Sequence, residues 1–302
     1  MTIRPANAEE ATAALELIVR RQAEASTACS YIGTERTALL AELEDLSPPW
    51  RETLRVAIQD GEVVGAVCVD HDMETERSWI HGPWTTDAST WQRCARALVE
   101  AAIEQTPEEI GDHEVAGSPA HTGLAGLGEI LGWSRSETNI AYAARSAEGW
   151  PEVSAPVRPA VPADVPAMAV LHDEAFPRAS ATASQMVLES DRTSVVLDDA
   201  GSGEAGPSTP GAGLLGYASG QVLADGTAYL DFVAVAAPAR GQGLAAQLLA
   251  VVGRDLLGRA PEGGVSLSVK EGNAPAIALY ERFVFAREAE LVGYRSRPYD
   301  PD

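Results

Sequence analysis

The stretch PARGQGLAAQLL, Pro238 to Leu249, sets two glycines one residue apart at the head of a helix-forming run. Glycine bares the backbone for close approach and adopts left-handed conformations at no steric cost. Before the turn, TAYLDFVAV, Thr227 to Val235, alternates and is rich in aromatic and β-branched residues, which predicts a strand. After it, Leu244, Leu248, Leu249, Val252 and Leu256 recur at helical spacing. The order is strand, Gly-x-Gly, helix, which turns free N–H groups and a helix N-terminus toward something anionic.

Three readings compete for this turn. Gly241-Gln242-Gly243-Leu244-Ala245-Ala246 satisfies the G-x-G-x-x-A of a dinucleotide fold, but that fingerprint wants an acid ending the next strand, and Glu262 sits in a Pro-Glu-Gly-Gly turn before it. A nucleotide P-loop fails because no Gly-Lys-Ser/Thr follows. A tight strand-to-helix connection that binds nothing remains open from the turn alone.

The residues downstream decide. VSLSVKEGNAPAIALYERFVF, Val265 to Phe285, reads as a strand followed by a helix that begins at Asn273 and carries Ile277, Leu279 and Tyr280. Arg240-Gly241-Gln242-Gly243-Leu244-Ala245, then Asn273, Ala276, Leu279, Tyr280, Glu281, Arg282 and Phe285, resemble the two ordered motifs of the GNAT superfamily of acyl-CoA-dependent N-acetyltransferases. The resemblance spans roughly residues 153 to 297. Two departures stand out: Pro238 opens the longer motif, and Val284 replaces the usual glycine before Phe285, a position that is hard for valine if it needs a positive φ.

The resemblance implies that the glycines hold the pyrophosphate of acetyl-CoA, the co-substrate, on the N–H groups of Gln242 to Ala245, with Arg240 adding charge or pairing with a surface acid. The strand holding Val233 and Val235 would bond the pantetheine arm, a strand addition by a ligand. Tyr280 matches the family's general acid for the departing thiolate, against the alternative of a packed aromatic. Asn273 is expected to cap its helix and to touch the cofactor. Asp231 lies where many members put a strand glutamate, so either it or water is the base; a solvated strand acid is the ordinary alternative. His172 reads as structural. The implied activity is transfer of an acetyl group to a primary amine by direct attack, with an acyl-CoA-binding module without turnover as the rival.

The two halves of the chain repeat one another. Arg4-Pro5-Ala6 with Glu10 recurs as Arg158-Pro159-Ala160 with Asp164, Gly65 of GEVVGAV recurs as Gly216 of AGLLGYA, and Trp133 and Tyr142 recur as Phe285 and Tyr294, at offsets of 154, 151 and 152. A proline-rich stretch, Pro151 to Pro162, reads as a linker. The expected fold is α/β (α+β): two tandem GNAT-like domains, each a mixed, mostly antiparallel sheet flanked by helices, over 1–147 and 154–302. The first half has Gly82-Pro83 in place of R-G-x-G and lacks the Asn and Leu-Tyr downstream, so it reads as a degenerate copy in which His81 and Trp84 pack the core or rim. Residues 199 to 213, low in complexity, are expected to form a disordered loop with no catalytic role.

Composition narrows the partners. Among 302 residues the formal net charge is -22, and neither half is basic, which disfavours nucleic acid and anionic membranes and would steer a cationic acceptor favourably. Small amines, amino-sugars and protein N-termini all stay open as acceptors, and an oligomer is compatible with the chain. Cys29, Cys68 and Cys94 are odd in number and show no metal-ligand spacing, which fits a reducing cytoplasm and no metal site. No signal-peptide pattern opens the chain and no apolar run reaches membrane-spanning length.

Overall fold

The computed structural model describes residues 1–198 and 213–297; the expected disordered loop lies, apart from Gly213, outside the described residues. The elements in chain order are β1 (Thr2–Pro5), α1 (Ala8–Gln22), α2 (Arg36–Asp45), α3 (Trp50–Thr53), β2 (Arg55–Gln59), β3 (Glu62–Asp72), β4 (Arg77–Thr85), α4 (Ala88–Ile103), β5 (Asp112–Gly117), α5 (Thr122–Leu131), β6 (Ser134–Arg135) and β7 (Asn139–Ala144). They continue with β8 (Val157–Pro159), α6 (Val165–Ala175), α7 (Ala183–Leu188), β9 (Arg192–Asp198), β10 (Leu214–Val222), β11 (Ala228–Val235), α8 (Leu244–Arg259), β12 (Val265–Lys270), α9 (Ala274–Arg282) and β13 (Ala286–Arg295).

Two compact units result, but they are not the contiguous halves 1–147 and 154–302. Unit 1 comprises Met1–Asn139 with Ala289–Asp302, and unit 2 comprises Ile140–Glu288. Each unit takes its closing strand from the far side of the expected boundary. In unit 1 the strands run β1-β2-β3-β4-β5-β13, with β6 beside β13. In unit 2 the order is β8-β9-β10-β11-β12-β7, the same arrangement. The first three pairings in each are antiparallel, and the fourth, β4 with β5 or β11 with β12, is parallel.

Physical reasons fix the exchanged strands. In unit 1, Tyr294 packs against Gly128, where a β-carbon would come within 2.3 Å of the ring. Arg295 Nε lies 2.8 Å from both carboxylate oxygens of Asp112, and both residues are buried. In unit 2, Ile140, Tyr142 and Ala144 enter the core with Leu249, Leu267 and Phe283, and the Trp150 indole donates to the Phe283 carbonyl at 2.7 Å.

The repeats seen in the sequence are the same contacts made twice. Arg4 grips the Glu10 carboxylate, which also accepts from the Asn7 N–H; Arg158 grips Asp164, which accepts from the Val161 N–H at 2.8 Å. Gly65 lets Leu98 of α4 approach the sheet, and Gly216 does so for Leu248 of α8. The helix ends before Trp133 and Phe285 close by matching Schellman bonds, Trp133 N–H to the Gly128 carbonyl at 2.9 Å and Phe285 N–H to the Tyr280 carbonyl at 3.1 Å. All three cysteines are buried and unpaired. No helix among the described residues is long and apolar enough to cross a membrane.

The Schellman closure demands a left-handed residue, supplied by Gly132 at φ 70° in unit 1 and by Val284 at φ 59° in unit 2. A β-branched residue there costs about 1–2 kcal/mol, and the Val284 side chain, 67% exposed, recovers little by burial. Val284→Gly is therefore expected to stabilise unit 2 by roughly 1 kcal/mol, after allowance for the greater freedom of unfolded glycine. Urea unfolding checks this; a destabilised variant would show that the valine is held by contacts outweighing its strain.

Candidate active site

The site is built on β11, whose alternation fully buries Ala228, Leu230, Phe232 and Ala234 and sets Tyr229, Asp231, Val233 and Val235 on the opposite, less deeply buried face, where the Asp231 side chain is 9% exposed. Parallel pairing with β12 covers Ala228 with Val265 and Tyr229 with Ser266, after which β11 continues to Val235 and β12 to Lys270 without further pairs. Where the strands part, the Tyr229 hydroxyl lies 2.8 Å from the Ser268 hydroxyl. The parted strands expose the β11 edge that the resemblance assigns to a pantetheine arm.

At the far end of β11 the chain turns through Ala237–Ala239 into the glycine pair. Gly241 and Gly243 have φ of 79° and 78°, and a β-carbon at either meets no atom of the described residues within 4 Å. The glycines are thus required by backbone conformation, and the space over them is open. The 16-residue helix α8 begins with Gly243 at its cap, no side-chain cap bond and no acidic residue in its first turn. Its first N–H groups and its dipole therefore face that space uncompensated. Among the described residues Arg240 pairs with no acid; its Nε donates to the Val235 carbonyl at 3.0 Å, tying the turn to the strand. These features fit an anionic group such as a pyrophosphate on Gln242, Gly243, Leu244 and Ala245.

Asp231 is not a solvated acid. It is the extra residue of a bulge, since Ser219 pairs with Phe232 and Gly220 with Leu230. Its carboxylate accepts from Arg192 Nη1 at 2.9 Å and Gln221 Nε2 at 3.0 Å, and Arg192 also holds Glu189. Burial pushes its pKa up to about 6, against the downward pull of the Arg192 charge and the Gln221 bond. A buried carboxyl that ionises near neutrality is suited to proton transfer.

Tyr280 on α9 is 9% exposed and packs edge-on to Phe285. Burial, with a contribution from neighbouring Tyr229, pushes its hydroxyl up to about 12, and burial raises Tyr229 to about 12 as well. Both stay protonated across the neutral range. Asn273 caps α9, its side chain accepting from the Ala276 N–H at 3.3 Å. His172 is structural, as read: its Nε2 donates to the Ala181 carbonyl at 2.9 Å, which leaves Nδ1 to accept from the Tyr217 hydroxyl at 2.6 Å.

Sequence reasoning missed Arg192, Gln221, Tyr229 and Ser268. For Tyr229 a signal existed, because it shares the period-two face of Asp231, Val233 and Val235; Gln221 comes from the adjacent hairpin strand β10, and Arg192 and Ser268 from strands farther off in sequence. In unit 1 the equivalent helix start carries a side-chain cap. Asp87 caps α4, its carboxylate accepting from the Thr90 N–H at 2.9 Å, so a built-in anion stands where α8 has none. Trp84 is fully buried with its indole on Gln22, and His81 is buried against Asp70 at 2.8 Å. Burial alone would lower the His81 pKa, but the Asp70 carboxylate raises it to about 10.

One mixed sheet built twice, with a bared glycine turn in the second copy, defines a tandem acetyltransferase fold. Residues 169–285 match the family model described as Acetyltransferase (GNAT) family. The domain they form belongs to the GNAT acetyltransferases. The whole chain is similar to a GCN5-related N-acetyltransferase from Sphaerobacter thermophilus, with a TM-score of 0.66 at 22% identity, covering 99% of this chain and 96% of that one. It is also similar to a tandem GNAT protein from the clavulanic acid biosynthesis pathway, solved without AcCoA, with a TM-score of 0.62 at 17% identity and coverage of 100% and 99%. A GNAT acetyltransferase from Colwellia psychrerythraea gives 0.53 at 14% identity, covering 98% and 100%. No curated protein matches the sequence.

The open turn yields a direct expectation. Gly243→Val places a branched side chain at φ 78° over the helix N-terminus and should weaken acetyl-CoA binding at least severalfold in calorimetry, with the far-UV spectrum nearly unchanged. Unaltered affinity would remove the phosphate cradle from this turn.

Proposed function

We propose that unit 2 transfers the acetyl group of acetyl-CoA to a primary amine by direct attack. The observation that carries this reading is the uncapped N-terminus of α8, opened by Gly241 and Gly243 at the end of a strand that has parted from its parallel neighbour. The N–H groups of Gln242 to Ala245 bind the pyrophosphate, and the edge of β11 at Val233 and Val235 takes the pantetheine arm by strand addition. Asn273 stands beside the same ligand as the cap of α9. As the amine nitrogen bonds to the thioester carbon, Asp231 accepts the amine proton, directly or through a water. Collapse breaks the carbon–sulfur bond, and Tyr280 gives its proton to the leaving thiolate. The net charge of -22 favours a cationic small molecule as acceptor, and three unpaired buried thiols support a cytoplasmic setting.

Tyr280→Phe keeps the ring against Phe285 and deletes the proton donor, so the single-turnover rate should fall by about 10² to 10⁴ while acetyl-CoA affinity holds. With the wild type, kcat/KM should fall as pH drops through about 6, where Asp231 takes up a proton and ceases to be a base, and Asp231→Asn should remove that limb. Wild-type single-turnover rates in Tyr280→Phe would return the tyrosine to the core. Acetyl-CoA binding with no turnover on any amine would favour a binding module instead.

A further inference from the structure

The Asp231 carboxylate of unit 2 is held by a side chain from two strands away. In the sheet, Arg192 of β9 stands opposite Gln221 of β10, and Gln221 stands opposite Tyr229 of β11. Two strand spacings, about 10 Å, separate β9 from β11. The Arg192 side chain crosses β10 and meets Asp231, the residue that the bulge leaves without a partner on β10. Its Nη1 donates to Asp231 Oδ2 at 2.9 Å and its Nε to Glu189 Oε2 at 2.6 Å, so the guanidinium is fixed between two carboxylates. Gln221 Nε2 donates to the other oxygen, Asp231 Oδ1, at 3.0 Å.

Such a clamp gives a base both direction and charge. A carboxylate oxygen has two acceptor sites, and among the described residues one side chain occupies a site on each oxygen, which fixes the group and keeps a further site for an incoming proton. The charged and ionisable groups around Asp231 are Arg192, with Glu189 and Asp191 at its far side, Tyr217 of β10 and Tyr229 of β11. Burial pushes both tyrosine hydroxyls up, Tyr229 to about 12, so neither carries charge near neutrality. Arg192 is the cation of the group, and its charge opposes the burial that pushes Asp231 up to about 6. We propose, resting on the acetyl-transfer reading, that Arg192 is the positioning residue of the reaction: anchored by Glu189, its guanidinium fixes the Asp231 carboxylate and steadies its negative charge for receipt of the amine proton. The guanidinium stays protonated throughout. The proton leaves the amine for Asp231 as the nitrogen bonds to the thioester carbon, and the carbon–sulfur bond then breaks.

The test is the pH profile of kcat/KM on the full chain, with acetyl-CoA and the best acceptor among ethylenediamine, glucosamine and glycylglycine, the acceptor's own titration divided out. Loss of a neighbouring cation raises a carboxyl pKa, so Arg192→Gln should move the acid limb upward from about 6 by about one to three pH units, with acetyl-CoA affinity unchanged. Arg192→Lys keeps the charge but not the planar fork that serves Asp231 and Glu189 together; its limb should stay near 6 while the plateau falls about tenfold or more. The lysine variant also decides the matter should Arg192→Gln fail to fold. A limb that Asp231→Asn removes but Arg192→Gln leaves in place would overturn the positioning role and spare the base, as would a lysine variant with the wild-type plateau. No transfer to any of the three amines, or a limb that survives Asp231→Asn, would overturn the acetyl-transfer reading and this proposal with it.

Discussion

Unit 2 depends on the early end of the parallel pairing between β11 and β12. Two residue pairs hold the strands together, and past Tyr229 and Ser266 the backbone groups on that edge of β11 have no strand beside them. An unpaired edge inside a sheet is costly unless something pairs with it. The bulge at Asp231, the Tyr229–Ser268 bond at the fork and the glycine turn beyond Val235 all lie along the same strand. The opening lies between the two strands that α8 and α9 follow.

The same frame without the opening chemistry explains unit 1. Its β4 and β5 stay paired over four residues, its helix N-terminus carries Asp87, and the position equivalent to Tyr280 is Gly128, whose bareness admits Tyr294 of the exchanged strand. The glycine serves packing in one copy, where the other has the buried Tyr280 beside Phe285. Both copies hold the scaffold contacts, Arg4 with Glu10 and Arg158 with Asp164, while the bared glycine turn stands in unit 2.

Much of unit 2 was legible before the structure. Glycine spacing, the leucine period of α8 and the Asn273 cap are local features, written in consecutive residues, and they reappear with boundaries shifted by a few positions at most. Val284 was legible as a misfit because the need for a positive φ is also local. The strand exchange was not, since NIAYAA and the end of β13 both alternate and nothing in a period of two names the sheet edge a strand will join. Nor was the environment of Asp231, whose partners Arg192 and Gln221 arrive from other strands. A carboxylate looks alike in sequence whether solvent or a guanidinium faces it.

The most direct measurement is amide hydrogen exchange of the full chain with and without acetyl-CoA, followed segment by segment. A ligand seated on the uncapped helix and the free strand edge must protect residues 233–235 and 241–246, and must leave the Asp87-capped start of α4, residues 83–92, unchanged. Protection of residues 83–92, or none at 241–246, would contradict the account by putting the cofactor in the other copy or nowhere on this fold.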